Sequence, residues 1–290
     1  MKFEVLQKTR YQYSEPVKQS INKCIFKPLH DEKQQLFSYE QIILPKAEST
    51  THSDYWGNEV VTFYIWEPHD FLEVQTRSVL EVKVQKVDVV FTADMEEEMQ
   101  SAQFKEVFAE YLMETPYTML SMDAIFPILE TIKEDDDNPL QFVAKLNQYI
   151  YEHFSYVPGS THVKTTAQEA YELRTGVCQD FTHIMLAICK SQGIPSRYVS
   201  GYIYSGEDVA MRGESMTHAW IEIYLPSYGW IGFDPTNDMI AQEQHISVAK
   251  GRDYADITPL KGVYLGNGIQ ELSVSIQVKA IQNEHETSNC

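Results

Sequence analysis

The hydrophobic pattern of the chain changes from strand-like to helix-like near residue 90, and this change restricts the folds that it can adopt. Residues 3–6, 60–66 and 79–84 are rich in β-branched and aromatic side chains, which favour strands. Turn signals such as Trp56-Gly57-Asn58 and Glu67-Pro68 separate these segments. Residues 1–90 are therefore predicted to form an all-β domain.

Residues 91–137 are predicted to form a helical connector. The first of its two expected helices carries an apolar face, and the second spans residues 119–132 with a kink or break at Pro127. Asp137-Asn138-Pro139 then has the composition of a helix start, which opens the next region. The apolar face of the first helix consists of Phe104, Val107, Phe108, Tyr111 and Leu112.

The connector also carries most of the net charge, which is −19 for the whole chain. Between Asp88 and Asn138 there are 14 acidic and two basic residues, a local balance of −12 that leaves −7 for the rest of the chain. Runs of like charge, such as residues 134–137, are typical of solvated surfaces. The acidic balance argues against nucleic acid and anionic membranes as partners, because both require a basic face.

The amino terminus and the cysteines indicate a cytoplasmic protein. The first ten residues lack the apolar stretch of a signal peptide, and no run approaches the roughly 18 apolar residues of a membrane span. The four cysteines, Cys24, Cys178, Cys189 and Cys290, are sparse, which suits reduced thiols better than a disulfide framework. Residues 281–290 are polar and are expected to form a frayed tail.

The segment after residue 174 contains a cysteine in a setting that can activate a thiol. Cys178 opens a strongly apolar helix that is predicted to end near Gly193, because Pro195 prevents its continuation. Unpaired backbone N–H groups at a helix start favour an anion, here a thiolate or the oxyanion of a bound carbonyl. The alternative is simple packing, which is the role we assign to Cys189 three helical turns further on.

Two predicted strands supply candidate partners for the Cys178 thiol. His218 lies in a strand over 217–224, and Asp234 ends the returning strand over 230–234. If Tyr224 pairs with Trp230, Asp234 becomes the diagonal neighbour of His218, roughly 7–8 Å away between backbones and within side-chain reach. A register shifted by one residue would separate them. A nucleophile, a base and a group that orients the base would then all be present.

Four motifs occur in one order over residues 176–237. They are Gly-Val-Cys-Gln-Asp-Phe-Thr-His over 176–183, Gly-Ile-Pro-Ser-Arg-Tyr-Val-Ser-Gly-Tyr over 193–202, Thr-His-Ala-Trp over 217–220 and Gly-Trp-Ile-Gly-Phe-Asp-Pro-Thr-Asn over 229–237. Together they resemble the bacterial transglutaminase-like family. Residues 245–246 and 248–254 extend the resemblance towards the carboxyl end, and residues 11–17 and 54–58 resemble the β domain that precedes the catalytic core in this family.

The resemblance implies an α+β fold with a papain-like transglutaminase core, which we place over residues 138–280. In such a core the cysteine lies at a helix start packed on an antiparallel sheet, and a Cys-His-Asp triad is implied for Cys178, His218 and Asp234. The implied enzyme acts on amide bonds of peptides or proteins through a Cys thioester. Hydrolysis, as a protease or deamidase, is slightly favoured over amine transfer, because no sequence feature marks an amine-acceptor site. The alternative is a non-catalytic peptide-binding module that keeps the fold.

No metal or other cofactor is expected. Residues 134–138 lack the glycine and the regularly spaced ligands of a calcium loop. A zinc site formed by Cys178, His218 and Asp234 is conceivable, but the local ligand spacing of zinc sites, such as Cys-x-x-Cys, is absent.

Some neighbouring residues have open roles in the sequence. Gln179 and Asp180 either line the site or anchor the helix start, whereas His183 points away from Cys178 on the helix and is predicted to be structural. Gly266-Asn267-Gly268 is typical of a hairpin turn. The oligomeric state is left open.

Overall fold

The computed structural model describes residues 1–84, 88–206, 211–212 and 217–281. The predicted tail over 281–290 therefore lies outside the described residues, except for residue 281. The described helices are α1 Ala93–Gln100, α2 Ala102–Val107, α3 Ala109–Leu112, α4 Met122–Ile132, α5 Pro139–His153, α6 Ala167–Leu173 and α7 Cys178–Ser191. The described strands are β1 Lys2–Val17, β2 Gln19–Cys24, β3 Gln34–Leu44, β4 Glu48–Ser53, β5 Glu59–Ile65, β6 His69–Val82, β7 Ser155–Tyr156, β8 Thr175–Gly176, β9 Ser196–Ile203, β10 His218–Leu225, β11 Gly229–Asp234, β12 Met239–Ala241, β13 His245–Gly251, β14 Leu260–Leu265 and β15 Gln270–Ala280.

The predicted α+β class is confirmed, with strands and helices largely segregated along the chain. Two antiparallel sheets, ordered β15-β1-β6-β3 and β14-β2-β5-β4, form the amino-terminal part. They share an apolar cluster to which Val17, Phe63 and Val74 contribute from β1, β5 and β6. Buried and exposed residues alternate along much of β1 and β2, as expected for strands with one face on a core.

The last two strands complete these amino-terminal sheets. β15 pairs with β1, with Val278 opposite Val5, and β14 pairs with β2, with Val263 opposite Ile21. The predicted core over 138–280 includes both strands, whereas their backbone hydrogen bonds are made to the amino-terminal sheets. Gly266-Asn267-Gly268 joins strands of two different sheets, so the predicted hairpin turn is wrong. The division of the chain into domains otherwise stays a prediction.

The predicted connector is helical, but its first predicted apolar helix is divided. α2 and α3 are separated at Phe108, and Val107 is 67% exposed instead of sharing the apolar face. The break lets the Phe108 ring pack 4.2 Å from Tyr224, centroid to centroid, while Tyr111 packs against Trp230. The predicted helix start at Asn138 is confirmed, because Asn138 and Gln141 form a reciprocal capping box.

The central sheet and its buried helix carry the segment with the resemblance. The sheet is antiparallel in the order β12-β11-β10-β9-β13, and α7 packs against β9 and β10. Gly193 follows the helix with φ +71°, a conformation that suits glycine where a helix terminates. In the described part of the chain, no helix combines the length and apolarity needed to cross a bilayer.

A buried ion-pair network ties the amino-terminal part to the central sheet. Glu222 of β10 accepts hydrogen bonds from Arg197 of β9 at 2.7 Å and from Lys33 at 2.7 Å. The Lys33 ammonium also donates to the Trp230 carbonyl at 2.6 Å. Burial raises the pKa of Glu222, but Arg197 and Lys33 outweigh it and lower that pKa to about 2.

Replacing Glu222 with Gln is expected to lower the free energy of unfolding by about 3 kcal/mol, because it leaves the Arg197 charge buried without its partner. The loss should be present above the ordinary carboxyl pKa of 4.5 and should disappear as the pH falls towards about 2. Urea unfolding between pH 3 and 7 measures it. Glu4→Gln is the matched control: its partner Arg77 is 57% exposed, so a loss below about 1 kcal/mol is expected. Equal losses of unfolding free energy in Glu222→Gln and Glu4→Gln would contradict a specific stabilising role for this network.

Candidate active site

Cys178 lies at the start of α7, where the local sequence fixes the helix end. The Asp180 carboxylate accepts hydrogen bonds from the Val177 N–H at 2.8 Å and from the Thr161 hydroxyl at 2.6 Å. A Cβ on residue 176 would lie 2.7 Å from this carboxylate, so Gly176 is what permits the close approach. Asp180 therefore anchors the helix start, and Cys178 is presented there with 9% of its surface exposed.

His218 and Asp234 meet because the predicted strand register is the observed one. Tyr224 lies opposite Trp230 in the β10–β11 pair, and the ladder continues to Ile221 opposite Phe233. His218 and Asp234 are diagonal neighbours beyond this ladder, and their side chains meet with 2.8 Å between Nε2 of His218 and Oδ2 of Asp234. Both residues are almost completely buried, so water does not compete for this contact.

The structure brings Cys178 to the same place. Its sulfur lies 4.0 Å from the carbonyl oxygen of Thr217, the residue that precedes His218. Nδ1 is the second ring nitrogen of His218; it is buried and has no hydrogen-bond partner among the described residues. Nε2 faces the carboxylate and Nδ1 is left available for the thiol, which is the arrangement that a base between a nucleophile and an orienting group requires.

The charges of the pair reinforce each other. Burial by itself lowers the pKa of His218, but the Asp234 carboxylate outweighs it, and with a further contribution from Cys178 that pKa rises to about 10. Burial likewise raises the pKa of Asp234, and His218 and His245 together drive it far below its ordinary value. This shift favours the protonated imidazole, which is the form that a nucleophilic thiolate would need as its partner.

His245 is a contact of Asp234 that the sequence patterns do not predict as a site residue. Its Nε2 lies 3.2 Å from the Asp234 Oδ2 atom, and the Trp220 ring packs against both histidines. The position of His245 depends on the pairing of β13 with β9, in which His245 lies opposite Ile203. Local spacing carries no signal for that pairing; the signal that the sequence does hold is that residues 245–246 extend the family resemblance.

Gln179 and His183 are occupied elsewhere. The Gln179 amide donates to the Val163 carbonyl at 3.2 Å. His183 is fully buried and accepts a hydrogen bond from the Tyr254 N–H at 3.2 Å, and burial lowers its pKa to about 3. These contacts agree with the structural role predicted for His183, which stays a prediction.

The donor atoms at the site fit hydrogen bonding better than metal binding. Within the described residues, His218, Asp234 and His245 form the single group of three or more His, Cys, Asp or Glu residues whose ligand atoms lie within 4.8 Å of one another. Two imidazoles and a carboxylate are common zinc ligands, but here the two Nε2 atoms both hydrogen-bond to the same carboxylate oxygen, Oδ2 of Asp234. Cys178 is not part of that group, so the zinc set considered from the sequence is not assembled.

Two family models match the chain in the order that the fold suggests. The model of the bacterial transglutaminase-like N-terminal region matches residues 3–81, and that of the transglutaminase-like superfamily matches residues 128–235. A protein of Mycobacterium leprae, ML0607, itself uncharacterized, is 34% identical over 279 residues, covering 96% of this chain and 98% of that protein.

Two further relatives are more distant. A crystal structure from Cytophaga hutchinsonii, of a candidate cysteine protease, has 21% sequence identity and a TM-score of 0.74, and the match covers 98% of this chain and 92% of that one. It shows a shared fold. The protein-glutamine gamma-glutamyltransferase of Pseudomonas aeruginosa is 27% identical over 146 residues, which are 46% of this chain and 22% of that protein. The chain therefore belongs to the transglutaminase-like superfamily, among proteins whose core follows a bacterial transglutaminase-like amino-terminal region.

Proposed function

We propose that the chain is a thiol enzyme that acts on amide bonds of peptides or proteins, with Cys178, His218 and Asp234 as its catalytic triad. The observation that supports this most directly is the buried 2.8 Å contact between His218 Nε2 and Asp234 Oδ2, which leaves His218 Nδ1 available to Cys178. A buried imidazole has little structural reason to be held charged beside a cysteine at a helix start, whereas a nucleophilic thiolate requires it.

The proposed reaction begins with attack of the Cys178 thiolate on the amide carbonyl carbon. The oxyanion that forms lies near the first N–H groups of α7, which have no partner within the helix. His218 gives its Nδ1 proton to the leaving amine, the C–N bond breaks and a thioester remains. The neutral imidazole then takes a proton from water, whose oxygen attacks the thioester; acid is released and the thiolate and imidazolium are restored.

Hydrolysis remains our first candidate outcome, and transfer to an amine is the second. Transfer uses the same thioester, with a primary amine in place of water, so the triad allows both. What favours transfer as a candidate is the similarity of 46% of this chain to the gamma-glutamyltransferase of P. aeruginosa, a protein named for that reaction.

Mass spectrometry of a defined peptide pool, incubated with the chain with and without methylamine, separates the outcomes. Hydrolysis of the backbone gives shorter peptides, deamidation converts Gln to Glu, and transfer gives methylamine adducts. We expect one of these changes with the wild-type chain and none with Cys178→Ala. Peptides that bind the chain but stay unchanged would instead support the non-catalytic binding module.

A further inference from the structure

His245 makes a contact that a three-residue triad does not need. It is the first residue of β13, and its ring reaches across the sheet to the carboxylate of Asp234 at the end of β11. His245 is 4% exposed and Asp234 is fully buried. A histidine in such a place needs a reason, because burying a polar ring costs free energy unless its hydrogen bonds are made.

The Asp234 carboxylate is held by donors on both of its oxygens. Oδ1 accepts from the Thr236 N–H at 2.9 Å, and Oδ2 accepts from the Asn237 side-chain amide at 2.9 Å. His218 and His245 both approach Oδ2 with Nε2, at 2.8 and 3.2 Å. Since carboxylate oxygens only accept, each of the two histidines must carry its proton on Nε2.

The surroundings of the two histidines shift their pKa values in opposite directions: that of His218 is raised and that of His245 is lowered. For His245 the largest cause is burial, which the Asp234 carboxylate partly offsets and the charge of His218 reinforces. These effects favour the neutral form of His245, which still donates from Nε2. A second positive charge there would compete with His218 for the Asp234 carboxylate.

Other charged groups lie near His245 without contacting its ring. A cavity of about 30 Å³ beside His245 is also lined by Lys33 and Glu222 of the ion-pair network and by Lys83. Glu222 is engaged by Lys33 and Arg197. Asp234 and His218 are thus the titratable groups in contact with the His245 ring among the described residues.

We propose that His245 is a positioning residue: as an N–H donor to Oδ2 it holds the Asp234 carboxylate in the orientation that keeps His218 directed at Cys178. This proposal rests on the proposed function. His245 touches neither the thiol nor the leaving group, and it acts through Asp234.

The first test is the rate of Cys178 alkylation by iodoacetamide as a function of pH, for wild type, His245→Phe and His245→Gln. His245→Phe removes the donor, so we expect the acid limb of the profile to move up by about one pH unit and the alkylation rate at pH 6 to fall by up to about 10-fold. His245→Gln keeps an N–H donor of similar reach and should restore most of the rate. His69→Phe, which removes another buried histidine bonded to Ser20, is the matched control and should leave the profile unchanged.

The outcomes separate the two proposals. If wild-type Cys178 reacts like an ordinary free thiol, the proposed function fails. If wild type is hyper-reactive but His245→Phe has the same profile, only the positioning role is overturned.

A measurement on the unaltered chain applies even where His245→Phe does not fold. Nitrogen-15 NMR of the histidine rings at pH 7.5 should show His245 with its proton on Nε2, as the contact with Asp234 requires. A proton on Nδ1 alone would overturn the proposal.

Discussion

Replacing Cys178 with Ala is expected to abolish amide turnover, lowering the rate by at least about 10⁴-fold on any peptide that the wild-type chain modifies. Without the sulfur no thioester forms, and His218 has no thiolate to pair with. Iodoacetamide labelling near neutral pH, followed by peptide mass spectrometry, gives a reading that does not depend on the substrate. In the described chain it should mark Cys178 alone.

The remaining cysteines make the labelling test specific. Burial raises the pKa of Cys24 to about 12, although the Gln41 amide offsets part of it, and burial also raises the pKa of Cys189. Both should stay unlabelled, and a Cys290→Ser background removes the thiol outside the described residues. Cys189→Ala, in the same helix, is the matched control and should keep its turnover. Peptide turnover that persists in Cys178→Ala would show that Cys178 is not the nucleophile.

Replacing Asp234 with Asn is expected to lower kcat by about 10³–10⁴-fold, because an amide neither stabilises the imidazolium nor keeps its proton on Nε2. Turnover of a modified peptide by the purified variant measures the loss. Asp253→Asn is the matched control: Asp253 is also buried, and its side chain accepts from the Ala255 N–H instead of an imidazole. Asp253→Asn should lower the stability of the chain but leave kcat within a few-fold of the wild-type value. Similar kcat losses in both variants would contradict a specific role for Asp234.

Asp234→Asn should also change how the stability of the chain depends on pH. The pKa of His218 rises to about 10 from its ordinary 6.5, so its contribution is complete below pH 6.5 and is lost as the pH rises through 10. The pKa of Asp234 is lowered, so its contribution is present above about 3.8 and is lost at more acidic pH. The difference in Tm between wild type and Asp234→Asn should therefore be largest between pH 4 and 6.5 and shrink towards pH 10.

The contact between His218 and Asp234 could be predicted because it depends on a short turn. Three residues separate Leu225 from Gly229, and Gly229 has φ +77°, so the turn fixes the register of the two strands. Once Tyr224 lies opposite Trp230, the remaining pairs of β10 and β11 are fixed. The period of two along each strand then decides which side chains share a face. The capping box at Asn138 was predictable for a similar reason, since its signal lies within four residues.

Features that depend on distant pairing could not be predicted from local pattern. β15 joins β1 across almost the whole length of the chain, and neither strand carries a mark of its partner. The same holds for His245, which reaches Asp234 only because β13 pairs with β9. The break at Phe108 is a third case, because the aromatic contact with Tyr224 overrides a helical pattern that looks continuous in sequence.

The most direct test of a His218-activated Cys178 nucleophile is the acylation of the chain by p-nitrophenyl acetate at pH 7, with the burst of p-nitrophenol and the mass of the acid-quenched protein followed together. We expect a burst that matches one acetyl group per chain, located on the peptide containing Cys178 and released by hydroxylamine. The burst should be absent in Cys178→Ala and slowed by at least about 10²-fold in Asp234→Asn. A wild-type chain that acquires no acetyl group on Cys178, or acquires it as slowly as Asp234→Asn, would contradict the proposed triad.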